Sequence, residues 1–251
     1  MDILLRTTRQ NDVPLLELWR QDLPERCPLV IMQHGYLGRK EFILPQAYLL
    51  AASGFFVVAP DACRHGDRSD KTTPALFQSV RETALGLNGL LQAYRDDPRV
   101  AAGQAGYVGY SMGGLIGFYY LTQPLVLFKA VCPVIATPDF TAVADAPQTR
   151  LMFQEAGLGS EQAYEAQRAE ARRDNPAQRQ IRPLPLLIQA GEADPLIPAD
   201  SIRRFAENMK PQYRNPEDLS VWIYPGQGHA DTIEMNQRIV NFLRHHLRGE
   251  G

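Results

Sequence analysis

The sequence predicts an α/β protein with a mostly parallel sheet and helices on both faces, and two patterns carry that prediction. Short, nearly continuous apolar runs alternate with longer stretches of helical periodicity. Strands buried on both faces of a parallel sheet have this appearance. A Gly-x-Ser-x-Gly segment, 109–113, also sits where one apolar run ends and a helix-like stretch begins. The chain has 251 residues, 45% of them hydrophobic and 22% charged. That length suits a single domain over 1–251 with a sizeable core.

The elements follow in order. Residues 3–8 and 13–19 read as a hairpin, with Gln10-Asn11-Asp12 supplying the turn. Apolar runs at 29–33, 55–59, 105–109, 129–133, 186–190 and 219–224 then mark the strands of the sheet. Thr73 is expected to cap a helix with Pro74 in its first turn. Leu76, Val80, Ala84, Leu87, Leu91 and Tyr94 lie along one face of it, and Asp97-Pro98 ends it. The last helix, from about Ala230, places Met235, Ile239, Phe242 and Leu243 on one side. His245 and His246 fall in its final turn, where the helix dipole favours a cation. Between 138 and 183 the rhythm breaks. No good strand is present, and two or three short helices are expected, with Gly157-Leu158-Gly159 as a break and Ser160 as a cap. This stretch reads as a small helical cap insertion over the end of the sheet.

Composition narrows the class. The formal net charge is −2, with no long block of one sign, which argues against nucleic acid or an anionic membrane as partner. No run approaches the roughly 20 apolar residues of a spanning helix. The N-terminal Met1-Asp2-Ile3-Leu4-Leu5-Arg6 lacks a basic segment followed by an apolar one, so no signal peptide is expected. Cys27, Cys63 and Cys132 are odd in number and without paired spacing, which points away from disulfides and zinc and towards a cytoplasmic protein. Cys63 and Cys132 are expected to be buried fillers. No His or carboxylate pair has ligand spacing, so no metal is expected.

The chemistry is read from Ser111. Chance alone supplies Gly-x-Ser-x-Gly roughly once in ten chains of this length, so the strand–turn–helix setting matters more than the pattern. Gly109 and Gly113 leave room for a sharp turn that lifts the serine out of the backbone. A serine nucleophile needs a base, and the base needs an orienting carboxylate. Of the five histidines, His34 and His65 precede Ser111, and His245 and His246 end the last helix. His229 follows directly on a predicted strand, where ligand chemistry sits in open α/β sheets. Asp194 follows the strand between serine and histidine, with Glu192 as the alternative carboxylate. The oxyanion donors are expected to be the backbone N–H groups of Met112 and Tyr36, the latter in His34-Gly35-Tyr36 after the run at 29–33. His34 would then brace that loop. The segment from Pro60 to Gly66 reads as a polar buttress, with Asp61 and Arg64 as structural partners. Phe140 and the apolar cluster Leu151, Met152 and Phe153 either wall a small acyl pocket, with Phe140 and Phe153 as its candidate substrate-binding residues, or pack into the core.

Along nearly its whole length the chain resembles the α/β-hydrolase serine esterases. The matching pieces are His34-Gly35-Tyr36, Pro60-Asp61 through His65-Gly66, the turn at Ser111, Gly191 to Asp194, and Gly228-His229. It looks closest to small bacterial carboxylesterases related to dienelactone hydrolases and to the catalytic domains of prolyl-oligopeptidase-like enzymes. The resemblance implies an eight-stranded sheet with its second strand antiparallel and an insertion after the sixth. It also implies cofactor-free hydrolysis of small-molecule, short-chain acyl esters. Dienelactone hydrolases carry a cysteine where this chain has Ser111, which argues against lactone specificity.

The expected activity is therefore serine carboxylesterase. A thioesterase, amidase or small peptidase would use the same residues. A carbon–carbon hydrolase or cofactor-free haloperoxidase would share the triad. A ligand-binding protein on an inactive hydrolase scaffold is the reading from another class, although here all three residues stand in order. The sequence says nothing of oligomeric state.

Overall fold

A computed structural model describes residues 2–22 and 26–249; Met1, 23–25 and 250–251 lie outside the described part. Eight strands run β1 (Ile3–Gln10), β2 (Val13–Arg20), β3 (Cys27–Gln33), β4 (Phe56–Pro60), β5 (Val100–Tyr110), β6 (Ala130–Val134), β7 (Leu186–Gly191) and β8 (Leu219–Tyr224). They form one sheet in the order β1-β2-β4-β3-β5-β6-β7-β8. Strand β2 is antiparallel to both β1 and β4, and every other pair is parallel. The sheet is thus mixed at one edge, with the expected antiparallel second strand. Gln10 pairs with Val13, and the two residues between, Asn11 and Asp12, have φ of 49° and 62°. A two-residue hairpin turn that matches strand twist needs positive φ at both positions, and Asn and Asp tolerate it best after glycine.

The central strands are buried on both sides, and their alternation divides the core in two. Leu29 and Ile31 of β3, with Phe56 and Val58 of β4, face one cluster. Val30, Met32, Val57 and Ala59 face the other. The first cluster is covered by helices α2 (Leu76–Ala93), α3 (Met112–Tyr120) and α7 (Ala199–Met209). The second is covered by α1 (Leu44–Ala52) and α8 (Ile233–Arg248). Strand β5 starts at Val100, before the apolar run at 105–109. Its first part is poorly covered, with Ala102 and Gly103 exposed.

Between β6 and β7 lie α4 (Phe140–Asp145), α5 (Pro147–Glu155) and α6 (Glu161–Arg173). Ser160 caps α6 by accepting the Ala163 N–H at 3.1 Å. This segment is fastened to α2. Arg81 donates to Asp174 at 2.6 Å, and the Thr73 hydroxyl donates to the Ala156 carbonyl at 2.7 Å. That second bond corrects the expected start of α2. Thr73 does not cap the helix, because its hydroxyl is engaged by the end of α5. Ala75 stands at the N-cap, and the Leu76 N–H is satisfied by the Gln167 side chain of α6 at 3.0 Å. A distant residue thus takes the place of the local cap. Helix α8 begins slightly later than expected, with Thr232 accepting the Met235 N–H at 3.2 Å.

Leu243 lies on the sheet-facing side of α8 and is 0% exposed. Leu243→Ala is expected to lower the unfolding free energy by about 2–5 kcal/mol, measured as a shift in the urea midpoint.

Candidate active site

The chain leaves β3 for β4 on one side and later reaches β5 on the other. The carboxyl ends of β3 and β5 therefore flank a topological switch point, where open α/β sheets leave a crevice. Ser111 follows β5 directly and His34-Gly35-Tyr36 follows β3. Ser111 has φ 53° and ψ −116°, a backbone conformation that costs a non-glycine residue about 1–3 kcal/mol. Its surroundings hold it there. The Ser111 N–H donates to the Val134 carbonyl at 2.9 Å, and the Tyr107 hydroxyl donates to the Gly113 carbonyl at 2.7 Å. A Cβ on Gly109 would stand 2.1 Å from the Gly113 oxygen, and one on Gly113 2.3 Å from the Gln33 oxygen. Only glycine permits so tight a turn.

Ser111, His229 and Asp194 come together. Ser111 Oγ lies 2.9 Å from His229 Nε2, and His229 Nδ1 lies 2.7 Å from Asp194 Oδ2. The Asp194 side chain is fully buried. Its other oxygen accepts the N–H groups of Leu196 and Ile197 at 2.9 and 3.0 Å. A carboxylate so placed only accepts, so His229 carries its proton on Nδ1 and turns an accepting Nε2 to the serine hydroxyl. The two loops are stitched together: the N–H groups of Glu192 and Ala193 donate to the carbonyls of Tyr224 and Gln227, each at 2.9 Å. Glu192 itself points away and pairs with Arg203 at 3.2 Å.

The loop after β3 touches the same place. A Cβ on Gly35 would lie 3.5 Å from Ser111 Cβ and 4.0 Å from its Oγ. Met112 is the first residue of α3, so its N–H has no acceptor within the helix. Tyr36 anchors the loop outward. Its hydroxyl donates to the Pro74 carbonyl at 2.6 Å, and its ring meets Phe153 edge-on at 6.3 Å. Phe153 and Phe140 are both fully buried, and Phe140 packs on Phe77 at 5.4 Å.

His34 is fully buried. Its Nε2 accepts the Ala62 N–H at 3.0 Å, so Nδ1 carries the proton and donates to the Gly35 carbonyl at 2.8 Å. Burial lowers its pKa to about 4. His65 is lowered for the same reason, and its Nδ1 lies 2.8 Å from the Cys63 carbonyl. Two expectations about the neighbouring loop need correction. Asp61 pairs with Lys40, at 2.9 Å, and Arg64 pairs with Glu82, at 3.3 Å; the loop turns the two side chains apart. Cys63 is only half-buried, whereas Cys132 is fully buried and its thiol pKa is pushed up by desolvation. His245 and His246 end α8, as expected, with the His246 ring tilted against Phe242 at 4.3 Å. Among the described residues no cluster of His, Cys, Asp and Glu could hold a metal, and no helix is long and apolar enough to cross a membrane. Sequence reasoning missed Lys40. Its only signal was a lysine a few residues beyond His34-Gly35, which reads as surface.

Residues 18–241 match the model of the dienelactone hydrolase family. The chain is 27% identical to "Putative esterase YitV" of Bacillus subtilis (strain 168), over 88% of this chain and 89% of that one. It is 27% identical to "Esterase YjfP" of Escherichia coli (strain K12), over 94% and 96%. Among solved structures, the Pyrococcus furiosus esterase Pf2001 superposes with a TM-score of 0.67 at 21% identity, over 98% of this chain and 92% of that one. At that identity the likeness speaks for the fold.

The buried histidines set a pH dependence of stability. In the unfolded chain His34 protonates near 6.5, and in the folded protein near 4. The unfolded state therefore binds more protons below about 6.5, and the stability contributed by neutral His34 is lost as pH falls towards 4. One pKa unit is worth about 1.4 kcal/mol, so the loss is on the order of 3 kcal/mol over that window. Urea unfolding across that window should give a shallower pH slope for His34→Gln than for the parent. Equal slopes would contradict the assignment.

Proposed function

This chain belongs to the dienelactone hydrolase family, and we propose that within it the protein is a serine carboxylesterase acting on short-chain acyl esters, with Ser111 as nucleophile. The observation that carries this reading is the unbroken line Ser111–His229–Asp194, with hydrogen bonds of 2.9 and 2.7 Å. The relatives YitV and YjfP, both named as esterases, support hydrolysis of an ester bond.

The reaction is acyl transfer in two steps. His229 Nε2 takes the Ser111 proton as Oγ attacks the ester carbonyl. Asp194, held by two backbone amides, keeps the imidazole oriented and stabilises the imidazolium. The N–H groups of Tyr36 and Met112 bind the oxyanion. His229 then returns its proton to the departing alcohol. Water enters, loses a proton to His229, and attacks the acyl-enzyme; collapse frees the acid and restores the serine hydroxyl. The His229 side chain is 21% exposed, which leaves a route for that water.

Acyl size follows from the segment between β6 and β7, which we propose acts as a cap over the site. Phe153 meets the oxyanion loop through Tyr36 but is fully buried, so it would shape the acyl site by backing Tyr36. Phe140 lies deeper, against Phe77, and would shape the pocket only through its neighbours. A wall fixed to α2 suits small acyl groups. A cytoplasmic location belongs to the same reading, resting on three cysteines without paired spacing.

Ser111→Ala should retain less than about 1% of the activity on p-nitrophenyl acetate, since the nucleophile is lost. A fluorophosphonate should label Ser111 in the parent protein. Retention of more than a few per cent would overturn Ser111 as the nucleophile, and absence of the adduct would favour a binding protein on this scaffold. Turnover across p-nitrophenyl esters of increasing length should peak well below ten carbons. Faster turnover of a thioester or an anilide than of the matching ester would move the assignment to thioesterase or amidase.

A further inference from the structure

Lys40 is fully buried, and its ammonium lies 2.9 Å from Asp61, 2.6 Å from Asp67 and 3.1 Å from Glu41. Burial works against its charge, but hydrogen bonds to these carboxylates outweigh that and its pKa is raised. Asp61 is equally buried. It accepts the Lys40 N–H on Oδ1 at 2.8 Å, and the Lys40 ammonium and the Asp67 N–H on Oδ2, each at 2.9 Å. A buried ion pair is weak ground for stability, because well-packed apolar residues often serve as well. Its position suggests another use. The pair joins the loop after β3 to the loop after β4, and His34 lies between them, 3.9 Å from Asp61.

His34 Nδ1–H and the Gly38 N–H both donate to the Gly35 carbonyl, at 2.8 and 3.1 Å. That carbonyl and the Tyr36 N–H belong to one planar trans peptide, so they point in opposite directions. Holding one therefore aims the other. The ring that holds it is itself fixed by the Ala62 N–H, one residue beyond Asp61.

We propose that the Lys40–Asp61 ion pair is a positioning device for oxyanion stabilisation: it locks the two loops around His34, and His34 aims the Tyr36 N–H. This rests on the esterase reading of Ser111. Lys40 touches no substrate and acts through Asp61, His34 and the Gly35–Tyr36 peptide. A donor held off-target loses much of its effect in the transition state and little in the ground state.

The test compares the full-length parent, Lys40→Met, the double variant Lys40→Met/Asp61→Asn, and Ser111→Ala, with p-nitrophenyl acetate as probe. The double variant leaves no unpaired buried ion and guards against a single variant that fails to fold. Melting temperature, kcat and KM are read for each. The expected result is a fall in kcat of about fivefold or more, larger than any change in KM, in each folded variant. The double variant should regain melting temperature over Lys40→Met without regaining kcat. Folded variants that keep kcat within about fivefold, or lose efficiency mainly through KM, would overturn the proposal. If Ser111→Ala is inactive while the Lys40 variants match the parent, only this inference fails. If Ser111→Ala keeps its activity, the assignment of Ser111 as nucleophile itself fails.

Discussion

The parallel pairing of β3 with β5 is the interaction on which the site depends. Its register sets Gln33 opposite Gly109, so both strands end at one level and release their loops into the same crevice. β5 also pairs with β6, setting Tyr110 opposite Val134, and the Ser111 N–H continues that ladder onto the Val134 carbonyl. At the other side, Gly191 stands opposite Tyr224, so the loops bearing Asp194 and His229 also start level. A slip of one residue would move a strand end by about 3.3 Å and turn its side chains to the other face. Hydrogen bonds of 2.7 and 2.9 Å between three loops would not survive it. The geometry of the site is thus largely a property of the sheet.

That dependence explains why so much was legible in the sequence. Runs such as those of β3, β4 and β7 are nearly continuously apolar because both faces are covered, with only Gln33 and Gln189 interrupting them, and they mark strand ends closely. Once those ends were placed, chain order picked His229 and Asp194 from among their alternatives. What was not legible depends on contacts between distant residues. Nothing near Thr73 signals that its hydroxyl is engaged by Ala156, or that Gln167 would close the start of α2. Nothing near Lys40 reveals that this charge is buried, because its partner Asp61 comes from another strand end. The early start of β5 was hidden for a simpler reason: that part of the strand is poorly covered and has no need of apolar residues.

The site region also departs from the rules that govern the rest of the protein. Elsewhere the core is two apolar layers on a sheet, with buried Glu17, bonded by Tyr94 and Arg6, as an exception. Around the crevice there is a serine at positive φ, a fully buried lysine and a neutral buried histidine. Each is unfavourable in isolation. Each is offset locally, by backbone hydrogen bonds at Ser111, by carboxylates at Lys40 and by amide and carbonyl partners at His34. Ile135, a β-branched residue with φ 46° at the end of β6, belongs to the same region. Its N–H donates to the Gln189 carbonyl at 2.6 Å.

The fastening of the helices between β6 and β7 to α2 has a consequence for how the protein could diversify. Thr73, Arg81 and the Leu76 N–H secure those helices from behind, while the reacting groups project from strands β5, β7 and β8. The two sets are built on separate elements, and Tyr36 against Phe153 is a place where they touch. On α5, Thr149 and Phe153 are locked into the interior, so only its outward residues, such as Leu151 at 49% exposure, are free to drift in size and shape. If the proposed role of this segment holds, a change of substrate preference would be confined to one set of helices and would leave the strand-borne residues in place.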